Sequence, residues 1–438
     1  MKKTEILVIG AGVSGLTAAS TLSKLGHEVL VVEARDRIGG RVLTHRDPVT
    51  QEPVEEGAEM VHGLAPELLS WIDPTRDLEE RPGEVLKFAN AKLEILTNYY
   101  DHIHTIIQQL NEPLAEDLSF QEWVHRSPPR GNPDALYATQ EYIQGYHAAD
   151  LGKISTQFLQ VVEKEAVEYD AVQGAFFFRR GQTDFVDRLR DSFPGPLLLN
   201  HCVKEIQWTG TGAEIHFAPL SNQMPPKPIQ AQKVVITLPI GVLQASPDER
   251  GGIRFSPPLP PSHLEPLSRM QMGNVIRATY VFPEDFLKAH CPEFLFILDP
   301  NPQALFQCWW RRGTRQITGW SGGPPEVLQL QKTEEERKKM GIQQLAQILQ
   351  LPASDLENAL EGYFHHDWNQ DPFSRGPYPY VKVGGFLAEQ KIAQPIRQTL
   401  FFAGDGTCSG AFFATMNGAL KSGIRVAQEI HTRLSTQR

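Results

Sequence analysis

The stretch EILVIGAGVSG, residues 5–15, decides the fold because a short apolar run leads directly into a glycine-rich turn. The apolar residues predict a buried strand, and the spacing of leucines and alanines predicts a helix over Ser14–Leu25. Gly26 stands where a helix usually ends. Glu28–Glu33 reads as a second buried strand. The first forty residues therefore predict a β-α-β unit.

Three glycines in this unit have the spacing of a dinucleotide-binding turn. Gly10, Gly12 and Gly15 allow a tight turn, close approach to a pyrophosphate and close packing of helix on strand. The start of the helix then offers backbone N–H groups to the phosphates. Glu33 ends the second strand, where a carboxylate can accept both ribose hydroxyls of an adenosine. Since no second turn of this kind follows a strand, we expect one dinucleotide, either FAD or NAD(P).

Composition narrows the function classes. The chain has 438 residues, is 41% hydrophobic and carries a formal net charge of -10. These values exclude a disordered chain and argue against a broad surface for nucleic acid or anionic membrane. No apolar stretch reaches the roughly 20 residues of a transmembrane helix. Four cysteines without a CxxC pair indicate no disulfide framework. We expect a cytoplasmic protein that binds no nucleic acid.

A second motif follows Glu33 directly. Residues 34–41 read ARDRIGGR, and together with the glycine turn they strongly resemble the flavin-containing amine oxidase superfamily. That group includes monoamine, polyamine and L-amino acid oxidases and flavin-dependent histone demethylases, and the motifs are nearest to polyamine-oxidase-like bacterial members. The resemblance continues through EGAEMVHG at 56–63, TLP at 237–239, FFAGD at 401–405 and TMNGAL at 415–420.

This resemblance implies a mixed α/β fold, in which a Rossmann-type FAD-binding domain carries an inserted substrate-binding domain of mixed sheet plus helices. The FAD-binding domain would comprise residues 1–80, 196–255 and 385–438. The substrate-binding domain would comprise 81–195 and 256–384. From the residues alone, 66–195 is predicted to be mostly helical, with breaks at Pro128-Pro129 and at 131–133. Pro377 stands where monoamine oxidases carry a flavin-linking cysteine, so the resemblance implies non-covalent FAD.

The resemblance also implies which residues contact the cofactor. They are Gly10, Gly12, Val13, Ser14, Gly15, Glu33, Ala34, Arg35, Gly39, Gly40, Arg41, Gly57, Ala58, Glu59, Met60, Val203, Thr237, Trp368, Gly404, Asp405, Thr415, Met416 and Ala419.

Fewer residues are expected at the reacting end. Tyr378 matches an aromatic residue beside the flavin that steers the amine, and Thr415 stands where monoamine oxidases have a second tyrosine. Arg277 replaces a lysine that the family usually bridges through water to flavin N5. We interpret Arg277, Tyr378 and Thr415 as catalytic. His62, Tyr378 and Trp310 are candidates for substrate contact.

The expected reaction is FAD-dependent amine oxidation. Hydride passes from the carbon next to the amine nitrogen to flavin N5, the imine hydrolyses to an aldehyde or ketone, and O2 is reduced to hydrogen peroxide. The expected partners are a small amine and molecular oxygen, with a possible homodimer. No metal is expected, because His365-His366-Asp367 lacks partners at ligand spacing.

Three alternatives remain open. The first is an L-amino acid oxidase, in which Arg277 would anchor the substrate carboxylate. The second is a desaturase acting on carbon–carbon bonds of a lipid-like substrate. The third is a non-catalytic FAD-binding protein, and the Arg277 replacement motivates it because arginine does not release a proton as a buried lysine can.

Overall fold

The glycine-rich turn joins a strand to a helix, as the sequence predicts. The structure is a computed structural model that describes residues 2–81, 83–111, 116–130, 133–168, 175–219, 224–324 and 329–436. Two residues of the predicted break at 131–133, Gly131 and Asn132, lie outside the described residues. The helices are α1 (Val13–Lys24), α2 (Pro66–Leu69), α3 (Pro74–Asp77), α4 (Tyr99–Ile107), α5 (Phe120–Arg126), α6 (Pro133–Tyr146), α7 (Thr156–Glu168), α8 (Gln182–Asp191), α9 (Ile240–Gln244), α10 (Pro261–Ser268), α11 (Glu284–His290), α12 (Glu334–Leu349), α13 (Ala353–Ala359), α14 (Ala388–Ile392) and α15 (Met416–Ser435).

The strands are short apart from those at the centres of the two main sheets. They are β1 (Lys2–Ile9), β2 (Val29–Val32), β3 (Thr44–Arg46), β4 (Pro53–Glu55), β5 (Met60–Val61), β6 (Leu78–Arg81), β7 (Val85–Ala89), β8 (Lys92–Ile95), β9 (Ala175–Phe178), β10 (Leu197–Leu198), β11 (Val203–Trp208), β12 (Ala213–Phe217), β13 (Ile229–Ile236), β14 (Arg254–Ser256), β15 (Met270–Met272), β16 (Val275–Val281), β17 (Phe296–Leu298), β18 (Cys308–Arg312), β19 (Gln316–Gly322), β20 (Gly362–Phe364), β21 (Pro379–Val381) and β22 (Leu400–Phe402).

The larger sheet has the order β10-β2-β1-β13-β12-β11-β14, with β22 also paired to β13. Strand β1 runs parallel to both β2 and β13. Its side chains alternate between two cores. Ile6 and Val8 pack among the residues of α1, α8 and α15, and Leu7 and Ile9 pack on the opposite face. A parallel strand covered on both faces explains why this run is continuously apolar.

The second sheet has the order β20-β16-β19-β18-β17-β7-β8. Helix α12 covers one face, where Ile342 and Leu345 pack against Ile276 and Tyr280. A third core lies among α4, α5, α6 and α7. The prediction that residues 66–195 are mostly helical is therefore incomplete, because β6, β7, β8 and β9 interrupt the helices. Each of these strands has only four or five residues, a run too short for its periodicity to establish a strand.

The two sheets draw on different parts of the chain. Apart from Ser256, the larger sheet uses only residues within 1–80, 196–255 and 385–438, whereas the second sheet uses only residues within 81–195 and 256–384. This separation is consistent with the expected division into two discontinuous domains, but the small sheet β5-β9-β6 pairs residues 60–61 and 78–81 with residues 175–178 across it, so the division stays a prediction. None of the described helices combines the length and the apolar character needed to cross a lipid bilayer.

Candidate active site

One cavity, of about 440 Å³, brings together the residues that the sequence analysis assigned to cofactor and substrate. Gly15 is the exception, since it does not line the cavity. The predicted residues that line it are Gly10, Gly12, Val13, Ser14, Glu33, Ala34, Arg35, Gly39, Gly40, Arg41, Gly57, Ala58, Glu59, Met60, His62, Val203, Thr237, Arg277, Trp310, Trp368, Tyr378, Gly404, Asp405, Thr415, Met416 and Ala419. Their individual roles remain predictions.

The glycine turn is shaped by close backbone contacts. Gly10 has a φ of +106°, which side-chain-bearing residues rarely adopt. A Cβ on Gly15 would lie 1.9 Å from the carbonyl oxygen of Gly10. Gly15 therefore serves the packing of α1 on β1. Helix α15 approaches the same turn closely, because a Cβ on Gly423 would lie 2.5 Å from the carbonyl oxygen of Ser14.

Glu33 directly follows β2 and is 5% exposed. Its Oε2 accepts a hydrogen bond from the Ala11 amide at 2.8 Å, and its Oε1 accepts one from the Arg35 amide at 2.9 Å. The Arg35 guanidinium donates to Asp371 at 2.6 Å. Burial opposes ionisation of Asp371, but hydrogen bonding from His366 and the charge of Arg35 hold its pKa well below the usual value. The loop at 366–374 is thereby attached to the end of β2.

Arg41 also lines the cavity. Its guanidinium donates to both carboxylate oxygens of Asp405 and to the carbonyl oxygen of Pro377. Thr415 precedes α15, accepts from the Gly418 amide at 3.1 Å and donates to the carbonyl oxygen of Phe412 at 2.7 Å. The Thr415 hydroxyl thus caps the helix whose N-terminus points at the cavity. This engagement favours a positioning role for Thr415.

These features fit FAD. A Cβ on Gly10 or Gly57 would meet protein atoms at 2.6 and 1.9 Å, so bare backbone forms the wall at both places. The helix N-termini that begin at Val13 and Met416 both border the cavity and offer N–H groups to negative charge. A cavity lined by the Glu33 carboxylate and by the first residues of two helices suits a dinucleotide.

Arg277 sits in β16 and is 5% exposed. Its Nη2 donates to Oε2 of Glu59 at 2.5 Å, and its Nη1 donates to the carbonyl oxygen of Glu55. The indole N–H of Trp310 also donates to Oε2 of Glu59, at 3.2 Å. Arg312 lies 3.2 Å from the Glu55 carboxylate and 3.6 Å from that of Glu59. Two cations therefore balance two carboxylates, and the Arg277 charge is already neutralised within the protein.

The substrate end of the cavity is aromatic. The Tyr378 hydroxyl donates to the carbonyl oxygen of Gly145 at 3.3 Å, and burial raises its pKa. The His62 ring meets that of Tyr146 edge-on, with centroids 5.0 Å apart. Burial lowers the pKa of His62 to about 4, so this imidazole is neutral at pH 7. Neutral, mostly apolar walls favour an uncharged amine over its ammonium form.

Sequence reasoning missed much of this wall. The missed residues are Tyr99, Tyr100, Glu141, Tyr142, Gly145, Tyr146, His147, Phe296, Leu298, Gln307, Cys308, Trp320 and Phe413. Many of them come from α4 and α6, which carry no motif. Their spacing along the helices indicates a buried face. Whether that face packs against a core or lines a cavity depends on segments that are far away in the sequence. No metal-binding group of His, Cys, Asp or Glu occurs among the described residues.

Comparison with known proteins agrees with this geometry. The chain is 25% identical over 457 residues to lysine-specific histone demethylase 1B of Mus musculus, covering 97% of this chain and 52% of that protein. It thus spans about half the length of that relative. It is also 25% identical over 551 residues to probable polyamine oxidase 5 of Arabidopsis thaliana, covering 98% of both chains.

Solved structures agree in fold. A double mutant of putrescine oxidase superposes with a TM-score of 0.81 at 20% identity, covering 99% of this chain and 100% of that chain. The family model described as flavin containing amine oxidoreductase matches residues 13–431. This chain belongs to the flavin-containing amine oxidoreductase family, whose enzymes act on CH–NH groups.

Proposed function

We propose that the protein is an FAD-dependent amine oxidase that holds its cofactor without a covalent bond. The proposal rests on one cavity that is lined both by the glycine turn and by aromatic residues such as Tyr146 and Tyr378. Family membership supplies the reaction class, and the cavity supplies a place for both reactants. When bound, FAD would supply the redox chemistry, namely acceptance of a hydride from the carbon next to the amine nitrogen and reduction of O2 to hydrogen peroxide.

The chain's own residues would prepare the amine. The walls around Tyr378, Tyr146 and Trp310 exclude water and lower the pKa of a bound amine, so that the neutral amine with its free lone pair predominates. Tyr378, held by Gly145, would orient the reacting carbon. The N-terminus of α15, capped by Thr415, would stabilise negative charge that develops at the adjacent edge of the cofactor.

The Arg277–Glu59 pair bears on the first alternative. An L-amino acid needs an unpaired cation for its carboxylate, and the Arg277 charge is already paired with Glu59. Glu59 itself would repel a second carboxylate. This arrangement favours simple amines over amino acids as substrates.

Non-covalent attachment is supported by residue chemistry at the expected position. Pro377 has no nucleophile to link to a flavin, and its carbonyl oxygen accepts a hydrogen bond from Arg41. Denaturing the purified protein and filtering it should therefore leave the flavin absorbance in the filtrate. Flavin retained with the denatured chain would contradict this part of the proposal.

The reaction is tested by mixing the purified holoprotein anaerobically with primary amines, polyamines and L-amino acids. Amines should bleach the oxidised-flavin absorbance, and readmitted oxygen should restore it with formation of hydrogen peroxide. If dithionite bleaches the flavin and no amine does, the proposal is wrong and the non-catalytic alternative gains support. Bleaching by L-amino acids alone would instead favour the amino acid oxidase.

A further inference from the structure

One carboxylate in the cavity lacks a partner within the described part of the chain. Glu141 lies on α6, is only partly exposed and lines the cavity. Burial alone accounts for the rise of its pKa to about 7, with no hydrogen bond or protein cation contributing. A carboxylate removed from water without a donor or cation is costly.

The other acidic residues that line the cavity are all engaged. Glu33 accepts from two backbone amides, Glu56 pairs with His45 at 3.0 Å, and Glu59 and Asp405 pair with arginines. Glu141 differs from each of them. The lack of a partner is therefore a local property of this position and does not reflect a general shortage of cations around the cavity.

The ionisable groups whose pKa values respond to Glu141 are Tyr99, Tyr137 and Cys308, and all three are neutral at pH 7. Tyr99 and Cys308 are close enough for the charge of Glu141 to raise their pKa values, and burial is the larger cause in both. The pKa of Cys308 reaches about 12, so this thiol stays protonated at pH 7. Tyr100 lies beside Tyr99, with ring centroids 5.2 Å apart. The surroundings of Glu141 thus combine aromatic rings with an uncompensated acidic group, which suits a cation from outside.

The helix also places Glu141 relative to the reacting end. Glu141 and Gly145 stand four residues apart on α6, and such residues share a helix face about 6 Å apart along the axis. The Gly145 carbonyl oxygen accepts from the Tyr378 hydroxyl at 3.3 Å and from the Trp320 indole at 3.4 Å. Glu141 is therefore one helical turn away from the contact that fixes Tyr378.

We propose that Glu141 binds a second ammonium group of the substrate, so that the preferred substrates are short aliphatic diamines or longer polyamines. The inference rests on the proposed function and deepens it by naming the substrate class. One nitrogen would lie by Tyr378 in neutral form, where oxidation occurs. The other would remain charged and pair with Glu141, about one helical turn away.

The test compares 1,4-diaminobutane with pentylamine, in which a methyl group replaces the second ammonium. Anaerobic bleaching of the holoprotein at a series of amine concentrations gives a limiting rate and a Kd for each amine. The wild type should bind the diamine at least about tenfold more tightly, as expected for a charge-assisted hydrogen bond. Glu141→Gln should reduce this ratio of Kd values at least about tenfold, with the effect in Kd and not in the limiting rate.

Two further variants sharpen the test. Glu122→Gln, on α5 and paired with the exposed Arg126, changes the same group outside the cavity and should leave the ratio unchanged. Glu141→Asp keeps the charge and withdraws it by one methylene, so the preference should move toward 1,5-diaminopentane. This variant also serves if Glu141→Gln does not fold.

The outcomes separate the two proposals. If neither amine bleaches the flavin but another amine does, the role of Glu141 is overturned and the proposed function stands, whereas bleaching by no amine at all means that the proposed function itself fails. If both amines bleach it but the wild type does not prefer the diamine, or the preference survives Glu141→Gln, only the role of Glu141 is overturned. A loss of limiting rate with unchanged Kd ratios would also overturn it, because a remote binding group should not change the reacting step.

Discussion

Arg41 and Asp405 stand 364 positions apart in the chain, and their side chains form a two-bond ion pair. The Nη1–Oδ2 distance is 2.9 Å and the Nη2–Oδ1 distance is 2.5 Å. The same guanidinium donates to the carbonyl oxygen of Pro377 at 2.7 Å. Three separate segments of the cavity wall are thus joined by one planar group, and a lysine could not reproduce this geometry.

Arg41→Lys should therefore weaken FAD binding without removing the positive charge. Loss of charge-assisted hydrogen bonds costs about 1.5–3 kcal/mol, which corresponds to a rise of about 10- to 100-fold in the Kd for FAD. Titrating the apoprotein with FAD by flavin fluorescence measures this change. Arg126→Lys is the control, because Arg126 forms an exposed pair with Glu122. An unchanged Kd in Arg41→Lys would mean that the ion pair does not shape the cradle.

Substituting Gly15 and substituting Gly12 should have different effects, the first on stability and the second on cofactor binding. Gly15→Ala places a Cβ 1.9 Å from the Gly10 carbonyl oxygen, so it should lower the melting temperature of the apoprotein itself. The Cβ of Gly12→Ala would lie 3.9 Å from the nearest protein atom, so this variant should fold normally. Its methyl group would lie where the pyrophosphate approaches the protein backbone, and it should hinder cofactor binding. Thermal unfolding with and without excess FAD distinguishes them. Equal apoprotein stability in both variants would contradict the packing role of Gly15.

Removing only one partner of the Arg277–Glu59 pair should lower the stability of the protein. Arg277→Met leaves the buried Glu59 without its closest cation, so the free energy of unfolding should fall by about 3–5 kcal/mol. Adding Glu59→Gln should recover part of this loss, since the uncompensated charge is gone. Urea unfolding of both variants measures the coupling. Arg375→Met, which breaks a pair with the half-exposed Glu249, should cost less than about 1 kcal/mol. Strictly additive losses would contradict the pairing.

His62 should make stability depend on pH in one direction. Its pKa is about 4 in the folded protein and 6.5 in the reference state, so the unfolded chain binds a proton more readily. Its contribution to stability is complete above pH 6.5 and falls as the pH drops towards 4, by up to about 1.4 kcal/mol per pH unit. His62→Gln should lose less stability than the wild type over that range. Parallel pH profiles of urea midpoints for the two proteins would refute this.

Tyr378 should act through its ring more than through its hydroxyl. Tyr378→Phe removes a single hydrogen bond of 3.3 Å to Gly145, so kcat/KM for the best amine should stay within about threefold of wild type. Tyr378→Leu removes the aromatic face and should lower kcat/KM by about tenfold or more. Steady-state peroxide formation measures both. Equal losses in the two variants would assign the role to the hydroxyl.

The sequence was most informative where the backbone itself forms the site. Gly10 and Gly12 have positions that follow from a tight turn and a close approach, and such constraints show directly in residue type. The aromatic wall on α4 and α6 was not predictable in this way. Tyr99 and Tyr146 resemble ordinary core residues in sequence, and only the packing of α4 against α6 and of α6 against β19 shows that they enclose a cavity.

Charge pairs were only partly predictable from the sequence. The replacement of a family lysine by Arg277 was visible in the sequence, and a structural pairing with a carboxylate was foreseeable. Which carboxylate pairs with it was not, because Glu59 lies 218 positions away, in the loop between β4 and β5, and either Glu55 or Glu59 has suitable chemistry. The structure shows that Arg277 uses the carboxylate of one and the backbone of the other.

The contact between α1 and α15 has a consequence for biosynthesis. Ser14 and Ser422 share a hydrogen bond of 3.1 Å, and the Ser422 hydroxyl also accepts from the Gly404 amide. Strand β22, which pairs in parallel with β13, comes from the same late part of the chain. When only the first 390 residues have been synthesised, the glycine turn has its contacts with Glu33, Gly39 and Thr237 but lacks those with α15. The wall of the cavity, which includes Asp405 and the N-terminus of α15, can therefore be completed only after this late region has been translated.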